Sequence, residues 1–168
     1  EIVTADGVLR RASATENSEL FWGLRGGSGN FGVVTALEFN LVPLPTFYGG
    51  SLIYPGEVAG EALRFFREWV RSNPDELTSS VAVFKFPPVP QVPEPLRGKV
   101  KVLVRGVYAG SAAEGQARMQ QWLDWRTPEI NGFAEMPFAR IGEVSNDPTE
   151  PSASFGSVAM FDALSDEA

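Results

Sequence analysis

Three glycines set the chemistry to consider first. Gly27, Gly29 and Gly32 satisfy G-x-G-x-x-G inside Leu20-Phe21-Trp22-Gly23-Leu24-Arg25-Gly26-Gly27-Ser28-Gly29-Asn30-Phe31-Gly32-Val33-Val34-Thr35. A backbone without Cβ atoms lets a ligand approach closely, and exposed N–H groups can receive phosphate oxygens. In a dinucleotide-binding turn a strand precedes these glycines and a helix follows, so that the pyrophosphate meets the helix N-terminus. Here the apolar pattern predicts the reverse order, a helix before and a strand after. A Rossmann site is therefore not expected. Two readings stay open: a glycine-rich helix-to-strand turn with positive φ, or a turn pressed against a ligand. Arg25 can reach a phosphate or bond the last carbonyls of its own helix. Trp22 reads as core or as a cofactor wall, and Asp6 as a turn residue or an acid.

Much other chemistry is excluded. The 168 residues include no histidine and no cysteine. Ser-His-Asp, Cys-His and zinc-deaminase sites cannot be assembled, and no metal site is expected. With 14 Lys plus Arg against 21 Asp plus Glu, the net charge of −7 repels a phosphate backbone. No apolar run approaches the ~20 residues of a membrane helix. The expected partner is a small-molecule substrate, not nucleic acid or membrane. No leader is visible at Glu1, which favours a cytoplasmic location. The close at Leu164-Ser165-Asp166-Glu167-Ala168 reads as the first turn of a helix, as in a piece of something longer. Arginine outnumbers lysine 11 to 3, which hints at a bacterial source.

The positioning elements follow from periodicity. Ile2–Thr4 and Val8–Arg10 flank Ala5-Asp6-Gly7 and predict a hairpin. Residues 13–25 predict a helix capped by Ser13 or Thr15, ended by Gly26-Gly27. Residues 32–41 predict a strand. After Pro43-Leu44-Pro45 the order becomes strand 47–54, helix 57–72, strand 80–86, a proline-rich loop 87–95, strand 99–108, helix 111–125 and strand 129–136. Ser111 and Glu114 form a capping-box pattern at the second helix. That is an α+β fold, βαββαβ or ferredoxin-like: an antiparallel sheet with two helices on one face and one face free. Tyr54, Phe84, Phe86 and Tyr108 are candidates for an aromatic substrate pocket or for core packing. Arg105 can meet a substrate carboxylate or stay solvated. From Ile141 onward there is no Lys or Arg but there are six acidic residues, and 143–154 reads as an exposed loop.

The residues Glu1-x-Val3-Thr4-Ala5-Asp6-Gly7, Glu16-Asn17 and Leu20-Phe21-Trp22-x-Leu24-Arg25-Gly26-Gly27-x-Gly29-Asn30-Phe31-Gly32-Val33-Val34-Thr35 closely resemble the FAD-linked oxidases of the berberine bridge enzyme-like group. These belong to the vanillyl-alcohol-oxidase or PCMH-type flavoproteins. The resemblance is dense over 1–46 and looser beyond. It implies that 1–46 is the C-terminal end of an FAD-binding domain, with Gly26, Gly27, Gly29, Asn30, Phe31, Gly32, Val33 and Val34 against the adenine and pyrophosphate of FAD. It implies that 47–168 is a substrate domain, truncated at its C-terminal side, whose sheet covers the flavin ring. The implied activity is hydride transfer from an alcohol, amine or sugar-like C–H to flavin, with oxygen or another acceptor taking the electrons.

Covalent flavin attachment in that family uses a His and often a Cys N-terminal to this stretch, and this chain has neither. The resemblance also implies that most of the FAD-binding domain and the C-terminal flavin-contacting segment lie outside these residues, so the isolated chain is expected to be inactive, to hold FAD weakly or not at all, and, with apolar surface uncovered, to self-associate. No catalytic residue is assigned. The alternative reading is a non-enzymatic small-molecule-binding or protein-interaction domain that uses the free face of its sheet.

Overall fold

A computed structural model describes residues 1–145. The expected loop beyond Ser145, and the closing stretch 155–168 with Ser165, lie outside the described residues. The chain divides into two compact units, Glu1–Pro43 and Leu44–Ala168. Among the described residues no helix is long and apolar enough to cross a membrane.

The first unit holds a small antiparallel sheet of β1 (Ile2–Val3), β2 (Leu9–Arg10) and β3 (Val33–Val34), in the order β2-β1-β3. The hairpin closes at Asp6-Gly7. Gly7 N–H donates to the Thr4 carbonyl at 2.9 Å, and Thr4 N–H donates to the Val8 carbonyl at 3.1 Å. The Asp6 carboxylate accepts from the Thr4 hydroxyl at 2.6 Å and from the Arg10 guanidinium at 2.8 and 2.7 Å. The Arg10 guanidinium holds the Asp6 carboxyl well below the usual carboxylate range. Asp6 is thus a fully committed turn residue.

Helix α1 spans Ser18–Leu24, shorter than the 13–25 expected. The reason lies at Asn17, whose φ of 47° is left-handed and cannot continue a helix. Ser13 does cap, but it caps a separate turn: its Oγ accepts from the N–H groups of Thr15 and Glu16 at 3.3 and 3.0 Å. Strand β3 is also shorter than the 32–41 expected. A strand lasts as long as its partner, and the ladder reaches only Glu1, which bonds Thr35 N–H at 3.0 Å and the Ala36 carbonyl at 2.8 Å. Leu37, Phe39, Leu41 and Val42 follow in irregular, exposed chain.

The second unit is built on β4 (Thr46–Pro55), β5 (Leu77–Lys85), β6 (Val100–Tyr108), β7 (Ile130–Asn131) and β8 (Ala134–Pro137). The order is β5-β6-β4-β7, with β8 also on β4, and every pairing is antiparallel. β7 and β8 keep one register along β4, Leu52 opposite Asn131 and Gly49 opposite Ala134. The expected strand 129–136 is thus present, interrupted at Gly132-Phe133.

Helices α2 (Ala59–Val70) and α3 (Ala112–Trp125) follow β4 and β6. The Ser111 Oγ caps α3, accepting from Glu114 N–H at 3.3 Å and donating its own proton to the Glu114 carboxylate at 2.6 Å. Ala62 and Trp69 of α2, Met119 and Trp122 of α3, and Leu52, Tyr54, Val102, Val104, Tyr108 and Leu77 of the sheet form one buried core. Both helices therefore lie on the same face. Trp122 is the hub, with the rings of Phe65, Trp125, Trp69 and Tyr54 at 4.7, 5.5, 5.7 and 6.1 Å.

Tyr54 donates its hydroxyl to the Trp122 carbonyl at 3.0 Å, and burial pushes its phenol up to about 12. An unfolded tyrosine ionises near 10. The unfolded chain therefore loses this proton first as pH rises. The contribution is fully present below about pH 10 and is lost as pH rises through about 12. Urea-unfolding midpoints should fall across that window, and Tyr54→Phe should flatten this component. An unchanged decline in Tyr54→Phe would contradict the assignment.

The opposite face carries Phe47, Ser51 and Ile53 of β4, Lys101, Leu103, Arg105 and Val107 of β6, and Thr78, Ser80, Ala82 and Phe84 of β5, by strand alternation and register. It is not wholly free. A one-turn helix, α4 (Gly142–Ser145), seats Val144 against Phe47, Met136 and Val107, and Ser51 donates its hydroxyl to the Val144 carbonyl at 3.2 Å. The buried Lys101 ammonium donates to both oxygens of Glu129, at 2.8 and 2.6 Å.

Candidate functional site

In the first unit the chain leaves α1 through Gly26, makes a single 3₁₀ turn over Ser28–Phe31, and enters β3 after Gly32. Asn30 locks the turn by donating its side-chain amide to the Gly27 carbonyl at 2.7 Å. The Phe31 ring lies on α1 where the side chains are missing. A Cβ at Gly23 would sit 2.7 Å from that ring, and one at Gly27 would sit 2.2 Å from it. At Gly32 the φ is 140°, and a Cβ would stand 2.2 Å from the Val3 carbonyl oxygen. Gly23, Gly27 and Gly32 are therefore glycines because the chain's own packing demands it.

Gly29 differs. Its φ is not in the left-handed region, and nothing lies within 4 Å of where its Cβ would be. The chain itself asks for no glycine there. A group brought against the turn from outside would ask for one. Phe31, Val33 and Val34, beside it in sequence, are all exposed. At Gly29 the backbone is uncluttered, and an uncluttered backbone is one that a phosphate can approach.

Two hollows flank α1. One, of about 470 Å³, is lined by Arg11, Ser13, Phe21, Arg25, Val34 and Leu37, among others. Arg25 lays its guanidinium over the Phe21 ring, 4.8 Å from the centroid. The other, of about 610 Å³, is lined by Ser18, Glu19, Trp22, Gly23 and Phe31. Trp22 is 74% exposed, so its reading as core is corrected. Of the seven residues of α1 only Gly23 is buried, so this helix offers an indole little interior.

The five substrate-pocket candidates do not come together. Tyr54 and Tyr108 are buried in the core under the helices, while Phe84 and Arg105 stand on the opposite face. Alternation along paired strands decides this: Tyr54 lies opposite Val102 on one side, and Phe84 opposite Lys101 on the other. Phe84 and Phe86 pack edge to face at 5.0 Å near the end of β5, with Phe84 exposed. Arg105 instead borders a hollow of about 330 Å³ with Thr78, Ser80, Val107, Ile141, Val144 and Ser145. Its Nε is buried and has no hydrogen-bond partner among the described residues. This hollow escaped the sequence reading because α4 forms its wall. The visible signal was Thr78, Ser80 and Arg105 falling on one face once β5 and β6 are paired. Among the described residues no cluster of three or more His, Cys, Asp or Glu could hold a metal ion.

No family model matches the chain. It is 25% identical over 142 residues to an FAD-linked oxidoreductase of Dictyostelium discoideum, covering 83% of this chain and 28% of that protein. It is 38% identical over 87 residues to a chitooligosaccharide oxidase of Gibberella zeae, covering 50% of this chain and 18% of that protein. Among solved structures, a xylooligosaccharide oxidase of Myceliophthora thermophila shares its fold with a TM-score of 0.59 at 23% identity, covering 83% of this chain and 28% of that one. The chain thus spans under a third of the length of these relatives. Their fungal and Dictyostelium sources lend no support to a bacterial origin.

Proposed function

We propose, for a chain homologous over about 83% of its length to FAD-linked oxidoreductases of the vanillyl-alcohol-oxidase and berberine bridge enzyme-like group, that it is part of an FAD-dependent oxidoreductase acting on sugar-like substrates. Residues 1–46 then end the FAD-binding domain, and 47–168 belong to the substrate domain. The order β5-β6-β4-β7, with helices after β4 and β6, supports the ferredoxin-like reading of that second domain. The names of the relatives, a chitooligosaccharide and a xylooligosaccharide oxidase among them, support the sugar-like substrate.

The observation that carries the reading is Gly29, a glycine whose added Cβ would meet open space and which the chain's own packing does not require, in the stretch where the resemblance is densest. The backbone of 26–34 would form one wall of the FAD site. When bound, FAD supplies the redox chemistry, accepting hydride from an alcohol, amine or sugar-like C–H. The chain's own share is to hold a stiff backbone wall: Asn30 fixes the turn, Phe31 anchors it on α1, and Gly32 ties it to β1.

Two measurements test this. The full-length protein should carry a flavin absorption band that bleaches anaerobically with an oligosaccharide; a flavin-free protein would refute the reading. The isolated 168-residue chain should emerge from gel filtration colourless after incubation with FAD, because one wall rarely offsets the freedom lost on association. It should also elute above monomer size, since Leu37, Phe39, Leu41 and Val42 form an exposed apolar run. A yellow, monomeric chain would contradict both expectations.

A further inference from the structure

The second unit holds a cation without an ion-pair partner among the described residues. Arg105 is half-buried at the middle of β6, between Ser51 of β4 and Ser80 of β5. Its Nε is buried without an acceptor, while the terminal nitrogens of the guanidinium are not buried and have no acceptor among the described residues. Two other cations near this face are matched. Lys101 is held by both oxygens of Glu129, and Arg140 by both oxygens of Glu143 at 2.7 and 2.6 Å. Arg105 has no carboxylate partner among the described residues. The hydroxyl of Ser51, directly opposite, is spent on the Val144 carbonyl.

We propose that the hollow beside Arg105 recognises the carboxylate of a small polyhydroxylated acid, a sugar acid. A volume of about 330 Å³ lies at the low end of ligand pockets and suits a single sugar ring. The guanidinium presents a planar fork that a carboxylate matches with two parallel hydrogen bonds, which a neutral hydroxyl cannot do. Thr78, Ser80 and Ser145 supply hydroxyls around the same hollow, while Val107, Ile141 and Val144 give an apolar wall for ring C–H groups. The proposal rests on reading this face of the sheet as the substrate side, and it names the class of substrate that side prefers.

The test is a titration of the ¹⁵N-labelled 168-residue chain with glucuronate, glucose and inorganic phosphate, followed at the Arg105 Nε–H resonance. Arg105→Lys assigns that resonance by deleting it. Glucuronate should shift it saturably, glucose should need roughly 10–100-fold higher concentration, and in Arg105→Lys, followed at the backbone amides of Val104 and Gly106, glucuronate should bind about tenfold more weakly. The wild-type resonance needs no folded variant to be read. No shift with glucuronate would overturn the proposal, as would an equal response to phosphate, which marks an adventitious ion only. Because no flavin enters this titration, it separates the two readings. Glucuronate binding here in a protein that oxidises no sugar would overturn the oxidase reading alone. Oxidation of neutral oligosaccharides without glucuronate binding would overturn this one alone.

Discussion

Trp122→Ala is expected to cost the second unit about 3–5 kcal/mol, a large part of the ~5–15 kcal/mol that holds a typical domain together. Trp122 is fully buried and its indole touches Phe65, Trp69, Trp125 and Tyr54, which arrive from both helices and the sheet. Truncation empties the one place where α2, α3 and β4 meet, and four large rings cannot close inward without leaving their own positions. The indole N–H of Trp122 is buried without an acceptor. Trp122→Phe removes that idle donor and keeps most ring contact, so it should cost under about 2 kcal/mol. Urea unfolding followed by far-UV circular dichroism would measure both. A loss below about 1 kcal/mol for the alanine variant would show that the helices do not share this core.

Gly32→Ala should unfold the first unit while sparing the second. A φ of 140° strains any residue with a Cβ by about 1–3 kcal/mol, and the methyl would meet the Val3 carbonyl at 2.2 Å. Relief requires β3 to leave β1, and overlap of this kind adds about 1–3 kcal/mol. A unit of this size has little stability to lose. Amide exchange reads the outcome directly: Thr35 N–H, bonded to the Glu1 carbonyl, should lose its protection, while Tyr54 and Val104 in the second unit keep theirs. Retained protection at Thr35 would mean that the turn tolerates a side chain.

The sequence was most legible where local chemistry and burial agree. The second unit followed its pattern closely, because Ser111 caps, Leu52, Val102 and Val104 alternate, and α2 carries one apolar stripe. The first unit departs further from its sequence pattern. Leu37, Phe39 and Leu41 have the alternation of a strand, but alternation supplies no partner, and the ladder stops with Glu1. Asn17 breaks α1 through a backbone angle that no periodicity reveals.

The glycine spacing was visible, yet spacing alone could not separate Gly32, fixed by Val3, from Gly29, which nothing in the chain fixes. The aromatic candidates were legible one by one. Their faces were not, because face depends on register, and register set Tyr54 and Tyr108 beneath the helices and Phe84 on the far side. Arg105 was singled out, but its isolation was not, since that depends on which carboxylates the fold has already committed.

The account stands most directly on Gly29. In the full-length protein, Gly29→Val should leave the unfolding free energy within about 0.5 kcal/mol of wild type, because open space surrounds that Cβ position. The ratio of flavin to polypeptide after gel filtration should nevertheless fall sharply, because the new side chain occupies the space assigned to the cofactor. Wild-type flavin content in a folded Gly29→Val protein would contradict the claim that this turn is a wall of the FAD site.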